Sequence, residues 1–185
     1  MAESTNVADE PETELVSPDL VLLLLAAPGR HDADSGRVNG ITRLEKLLFL
    51  ANMETEAAKG VKHPFQFKAY DYGPYSKAVY EAMDILEQAG LVAEDRSYSG
   101  QSQDEKEDWV TSLDEREGVE RRFWLTPAGR GVADLLATSH SSVAAAIAAI
   151  KRQYGSLSLR QLIRYVYTAY PDYAKASKIL DTAFS

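Results

Sequence analysis

The sequence predicts a mostly α protein with one small β-hairpin, an α+β class, and three observations carry that prediction. Apolar residues recur at helical spacing through most of the 185-residue chain. Two short runs rich in strand formers, at 91–92 and 121–125, flank a long acidic stretch. Gly, Pro, Ser and Thr punctuate the boundaries between these segments. The length is enough to bury a real core, and 45% apolar with 26% charged residues is the balance of a folded chain.

The elements follow in order. Residues 1–16 are polar and acidic, with little to bury, and read as a disordered tail. Ser17-Pro18-Asp19 supplies a capping serine, a proline at the first helical position and a first-turn acid. That helix runs to about residue 27 and stops at Pro28-Gly29; residues 29–40 read as a loop. Thr42-Arg43-Leu44-Glu45 matches a capping box, and Ile41, Leu44, Leu47, Leu48 and Ala51 form a buried stripe on a helix ending near residue 60. Residues 64–72 alternate as an extended segment. Gly73-Pro74-Tyr75-Ser76 is a turn whose serine caps the next helix, which buries Val79, Met83 and Leu86 and ends at Gly90. Leu91-Val92 opens a strand, and Arg121-Arg122-Phe123-Trp124-Leu125 completes the hairpin before Thr126-Pro127 caps a helix to about residue 137. Val143, Ile147, Ile150 and Tyr154 mark another helix, which Gly155 breaks. Ser158 starts a helix with Leu159, Leu162, Ile163, Val166 and Tyr167 on one side; Pro171 ends it, leaving one last helix over about 173–183.

Helix, helix, extended segment, helix, strand, acidic loop, strand, helix is the order of a winged-helix core. The predicted organisation is therefore an acidic tail (1–16), a winged-helix-like core (17–138) with an acidic wing loop (99–120), and a C-terminal helical extension (139–185) packed on that core.

Several function classes fall away. There is no cysteine, which excludes disulfide scaffolds, thiol catalysis and Cys-ligated metals. The longest apolar run, residues 20–27, is too short to cross a bilayer, and acids rather than bases precede it, so neither a membrane partner nor a signal peptide is expected. The expected location is cytoplasmic. His31, His63 and His140 share no spacing, and His31-Asp32 with Asp34 is a weak metal pattern. No nucleophile elbow, phosphate loop or H-E-x-x-H is present, and Gly129-Arg130-Gly131 lacks the context of a dinucleotide loop. The expectation is a non-enzyme with no metal and no cofactor.

The formal charge of −8 is segregated: residues 94–120 carry ten acids and three bases, while residues 121–185 carry nine bases and three acids. A recognition helix over 76–90 would present Lys77, Tyr80, Glu81, Asp84, Glu87 and Gln88, which repel phosphates on balance, and an acidic wing repels them more. Arg121, Arg122, Arg130, Lys151, Arg152, Arg160 and Arg164 form the candidate nucleic-acid patch of an alternative reading, a winged-helix DNA-binding transcriptional regulator. The competing fate for these bases is pairing with the acidic segments of the same chain.

Two features point instead to a protein partner. Tyr70, Tyr72, Tyr75 and Tyr80 cluster around the Gly-Pro turn, where rings with polar tips serve as anchors or as half-buried core edges. Trp109, with Val110 and Leu113, is an apolar island in the acidic loop, either a docking element or a tip folded back on its own domain. The candidate partner surface is Tyr72, Gly73, Pro74, Tyr75 and Lys77, plus Trp109, with the oligomeric state left open.

Gly36-Arg37, Ile41-Thr42-Arg43-Leu44-Glu45-Lys46-Leu47-Leu48-Phe49-Leu50 and Phe67-Lys68-Ala69-Tyr70-Asp71-Tyr72-Gly73-Pro74-Tyr75-Ser76 resemble the prokaryotic SocA-like antitoxin (Panacea) group, in particular relatives with a Tyr-Gly-Pro-Tyr-Ser turn. Leu162, Tyr165-Val166-Tyr167, Tyr170-Pro171-Asp172-Tyr173 and Ser177 resemble their C-terminal end. The resemblance covers about residues 36–92 and, more loosely, 121–180. It implies a small interaction or regulatory protein of toxin–antitoxin or phage-defence settings, its partner a toxin or regulatory protein, rather than an enzyme.

Overall fold

Six consecutive apolar residues, Leu20, Val21, Leu22, Leu23, Leu24 and Leu25, leave a helix no polar face to turn to water. In the computed structural model, which describes residues 14–31, 36–98 and 119–184, that helix, α1 (Ser17–Ala26), is the buried centre of the fold. Each fully buried leucine contributes about 1.5–3 kcal/mol. No single helix among the described residues is long and apolar enough to cross a membrane.

The start of α1 differs from expectation. Ser17 lies inside the helix, buried, and its hydroxyl donates to the His63 carbonyl; the cap position is Val16, whose amide donates to Asp19 Oδ2 at 2.8 Å. The predicted tail is also shorter at its inner end. Leu15 is buried, and its carbonyl accepts from the Lys62 amide at 2.7 Å, so residues 14–16 are tied to the body. Residues 1–13 lie outside the described residues.

The stretch expected to be a loop contains a strand, β1 (Arg37–Asn39). Asn39, Val38 and Arg37 face Arg122, Phe123 and Trp124 of β5 (Val119–Leu125), which also pairs antiparallel with β4 (Val92–Tyr98). The sheet order is β1-β5-β4, and Val38, Val92 and Phe123 are buried. The predicted hairpin is present; most of its acidic loop lies outside the described residues.

Helix α2 (Ile41–Glu54) starts after Gly40, whose φ of +88° only glycine adopts readily, and buries the predicted stripe from Ile41 to Ala51. It stops at Glu54, six residues short of the expected end. The capping box does not form: Glu45 turns inward and is 3% exposed. Helix α3 (Lys77–Gln88) buries Val79, Met83 and Leu86 as predicted, but Ser76 supplies no side-chain cap. Between α2 and α3 only Lys68–Tyr70 (β2) of the extended segment is strand, and it folds back on β3 (Gly73–Tyr75).

Thr126 caps α4 (Pro127–Ser139), its Oγ1 accepting from the Gly129 amide at 3.0 Å. After α5 (Ser141–Tyr154), a Ser158–Gln161 capping box opens α6 (Leu159–Ala169), whose Leu162, Ile163, Val166 and Tyr167 are buried. The expected last helix is two short ones, α7 (Pro171–Ala174) and α8 (Leu180–Phe184). Helices α5 and α6 pack on α2, α5 also packs on α1, and α7 lies against β2 and β3.

Candidate partner-binding site

The loop between β2 and β3 is only Asp71-Tyr72, with Tyr70 opposite Gly73 and Lys68 opposite Tyr75. Two clamps hold this hairpin. On the α2 side, the buried Lys46 Nζ binds Glu45 Oε2 at 2.9 Å and donates to the Pro74 carbonyl at 2.8 Å. The other oxygen of Glu45 accepts from the Ser76 amide at 3.0 Å. Each buried charge thus meets its opposite and a backbone group, which is what makes burial of an ion pair tolerable.

The C-terminal segment forms the second clamp. The Asp71 carbonyl accepts from the Lys178 amide at 2.9 Å, and Lys178 Nζ pairs with Asp71 Oδ2 at 2.6 Å. Tyr167 is hydrogen-bonded to Ser177 at 2.7 Å, and burial pushes its hydroxyl up to about 12. Its ring lies against Gly73, where an added Cβ would come within 2.6 Å of Tyr167 Cε1. Gly73 also has φ +92°, so two separate constraints select glycine. Gly73→Ala is expected to cost about 2–3 kcal/mol, read as a lower urea midpoint at unchanged slope.

What the rigid hairpin displays is a stack of tyrosines. The rings of Tyr70 and Tyr75 lie 5.0 Å apart at 36°, and those of Tyr75 and Tyr80, in the first turn of α3, lie 5.6 Å apart at 41°. Lys68 Nζ sits 5.8 Å from the Tyr70 and Tyr75 ring centres. Tyr70 is 44% exposed, while Tyr75 and Tyr80 are half-buried. Such rings offer large contact area with little side-chain entropy to lose on binding, and their hydroxyls add directional bonds.

The predicted partner residues separate into two roles. Gly73 and Pro74 are buried and set the backbone; Tyr75 is the middle ring of the stack; Tyr72 sits half-buried at the tip. Lys77 is exposed but bonded to Glu81 at 2.6 Å, which raises its pKa through that hydrogen bond and charge. Trp109 lies outside the described residues. Tyr70 and Tyr80 belong to the stack and were legible only as members of a tyrosine cluster. The clamps Glu45, Lys46, Tyr167, Ser177 and Lys178 were missed. The one available signal was Glu45-Lys46 standing inside an otherwise apolar helical run.

Two of the basic residues of the alternative reading are taken up inside the chain, Lys151 by burial and Arg121 by an ion pair. Lys151 is 2% exposed and donates to the Leu24 and Leu25 carbonyls at 2.9 and 3.1 Å, which removes it from the surface. Arg130 donates to the Ala26 carbonyl at 3.3 Å, so both cations serve the C-terminus of α1, where their sign is favourable. Arg121 makes a two-pronged pair with Glu94, its Nη2 donating at 3.0 Å, and lies over Phe123. Burial pushes the Glu94 carboxyl up, but hydrogen bonds from Arg121 and Arg96 outweigh it and hold the group below its ordinary value. Arg122 and Arg152 are exposed; Arg160 and Arg164 are half-buried. Among the described residues no group of three His, Asp or Glu is placed to hold a metal.

No family model, curated protein or solved structure matches the chain. The tyrosine stack and its two clamps are therefore the observations on which a function rests.

Proposed function

We propose that the chain is a non-enzymatic protein-interaction or regulatory module of antitoxin-like character, acting in the cytoplasm and gripping its partner with the Tyr70–Tyr75–Tyr80 stack. The observation that carries this reading is the pairing of a display surface with an unyielding mount. Two of the three stacked rings stand on a hairpin fixed by a buried ion pair on one side and by Tyr167 and Lys178 on the other, and the third, Tyr80, stands on the α3 helix that follows it. A preorganised aromatic patch gives up little freedom when a partner docks, and that is where binding hot spots concentrate. The element order and the β1-β5-β4 sheet support a winged-helix-like framework. Its α3, however, exposes Glu81, Asp84, Ile85 and Gln88 around a neutralised Lys77, a poor surface for phosphates.

The test is affinity purification from the native cell of the parent chain and of Tyr70→Ser and Tyr75→Ser forms whose circular dichroism is unchanged. One stoichiometric protein is expected with the parent, its affinity falling roughly 30-fold in each variant, as for a hot-spot anchor. Recovery of defined genomic fragments instead, insensitive to the tyrosines and lost in an Arg122→Ala, Arg152→Ala double variant, would replace this reading with the DNA-binding one.

A further inference from the structure

A second group of side chains lies apart from the hairpin and shares no residue with it. Glu54 is the last residue of α2, and three phenol hydroxyls converge on its exposed carboxylate. Oε2 accepts from Tyr154 at 2.7 Å; Oε1 accepts from Tyr165 at 2.8 Å and from Tyr170 at 3.2 Å. The Tyr154 and Tyr165 oxygens lie 2.9 Å apart, and Tyr154 also accepts from Gln153 Nε2 at 2.8 Å.

A proton count shows what this cluster lacks. Each phenol has one proton: Tyr165 and Tyr170 spend theirs on Glu54 Oε1, and Tyr154 must share its own between Glu54 Oε2 and the Tyr165 oxygen. The group holds several unused oxygen lone pairs and a full negative charge, and is short of donors. Burial raises the Tyr154 hydroxyl far above its ordinary value and Tyr170 to about 12. The bond with Tyr154 lowers Tyr165, but burial and Glu54 raise it overall. All three phenols therefore stay neutral, and the charge resides on Glu54.

The charge is also of the wrong sign for its position. A helix C-terminus favours a cation, yet neither α2 nor α6, whose C-cap residue is Tyr170, has a basic residue in its last turn. Elsewhere the chain meets this need itself, with Lys151 and Arg130 at the end of α1 and Arg43 on the Gly155 and Leu157 carbonyls after α5. Among the described residues Glu54 forms no ion pair, its partners being the three phenols. One carboxylate with neutral phenols is not a divalent-metal donor set. The missing complement is a single positive charge bearing several N–H donors, with an apolar stem that can lie against the half-buried Tyr165 ring, itself 4.8 Å centre to centre from the buried Tyr154.

We propose that Glu54, Tyr154, Tyr165 and Tyr170 form a binding site for a primary ammonium group, as carried by a lysine side chain or a small alkylamine. The ammonium donates to Glu54 Oε2 and to the phenol oxygens, supplying the donors the cluster is short of.

The site is tested by NMR on the full chain with 13C-labelled tyrosine rings. The probes are n-butylammonium chloride, N-acetyl-lysine amide and, as the uncharged control, N-acetyl-norleucine amide. Both amines are expected to move the signals of the three tyrosines and the control to leave them in place. Glu54→Gln should weaken the response about tenfold, the loss of one charge-assisted contact. Tyr170→Phe, which deletes one hydroxyl at the rim, should weaken it several-fold and decides the matter if the Glu54 variant does not fold. Equal affinity for the two amines points to a free alkylamine as the natural ligand; clearly tighter lysine amide points to a partner's side chain. No movement by either amine up to about 100 mM, far above a millimolar site, would overturn the proposal. So would an undiminished response in both variants. Neither result depends on the hairpin tyrosines, so this site and the partner surface stand or fall separately.

Discussion

Lys46→Met is expected to lower the unfolding free energy by about 3–5 kcal/mol, the range for breaking a buried ion pair from one side. Methionine keeps most of the side chain's volume, so packing is not what is lost. The variant leaves the Glu45 carboxylate inside the protein with no cation, and it takes from the Pro74 carbonyl the donor that Lys46 supplies at 2.8 Å. The double variant Glu45→Gln, Lys46→Met is expected to recover most of the loss. A glutamine oxygen can still accept from the Ser76 amide, and no isolated charge remains. Urea unfolding followed by circular dichroism measures both. A single-variant loss below about 1 kcal/mol would mean that water reaches the pair, which contradicts side-chain exposures of 1% and 4%. Because the same bonds anchor β3, the single variant should also broaden the NMR signals of Tyr70 and Tyr75 well below its melting point. The partner surface and the core are thus coupled through one lysine.

What the sequence revealed of this molecule was whatever local chemistry decides. The α1 helix, the Thr126-Pro127 cap, the helix start at Ser158 and the buried faces of α3 and α6 are set by neighbours within a few residues, and each was legible. The larger misses have distant partners. Arg37-Val38-Asn39 is too short to show a period and becomes a strand only because β5 arrives from about 80 residues away. Thr42 and Glu45 satisfy the capping-box pattern, but Glu45 finds Lys46 and the Ser76 amide inside the core, and those bonds prevail. The basic C-terminal third was visible as a charge surplus, whereas its destination was not. Lys151 serves carbonyls 126 and 127 residues earlier in the chain, and no one-dimensional pattern encodes that contact. The tyrosine cluster was legible as composition; the stacking order, and the neutral phenols gathered on Glu54, required the fold.

Gly129→Ala is expected to cost about 4 kcal/mol or more, an effect large enough to need a specific cause. The cause is backbone against backbone. A Cβ on Gly129 would stand 1.9 Å from the Leu91 carbonyl oxygen and 2.8 Å from its carbon. That carbonyl cannot swing aside cheaply, because it accepts from the Thr126 amide at 3.0 Å and so links the start of β4 to the cap of α4. Relief would require the first turn of α4 to lift off the sheet, opening the packing around Ala133 and Leu125. For a chain of this length the expected fall in melting temperature is on the order of 10 °C. Gly131→Ala, two residues on, is the control with the opposite sign. Nothing lies within 4 Å of its Cβ, and alanine in a helix interior is better than glycine by about 0.5–1 kcal/mol. The contrast separates two explanations of Gly129-Arg130-Gly131. A loop that brings backbone up to a phosphate would use both glycines for access, and both substitutions would then leave the fold nearly unharmed. A close helix–strand contact uses only the first, as the geometry around Leu91 requires. Equal and small effects at the two positions would show that α4 does not sit on Leu91 as described.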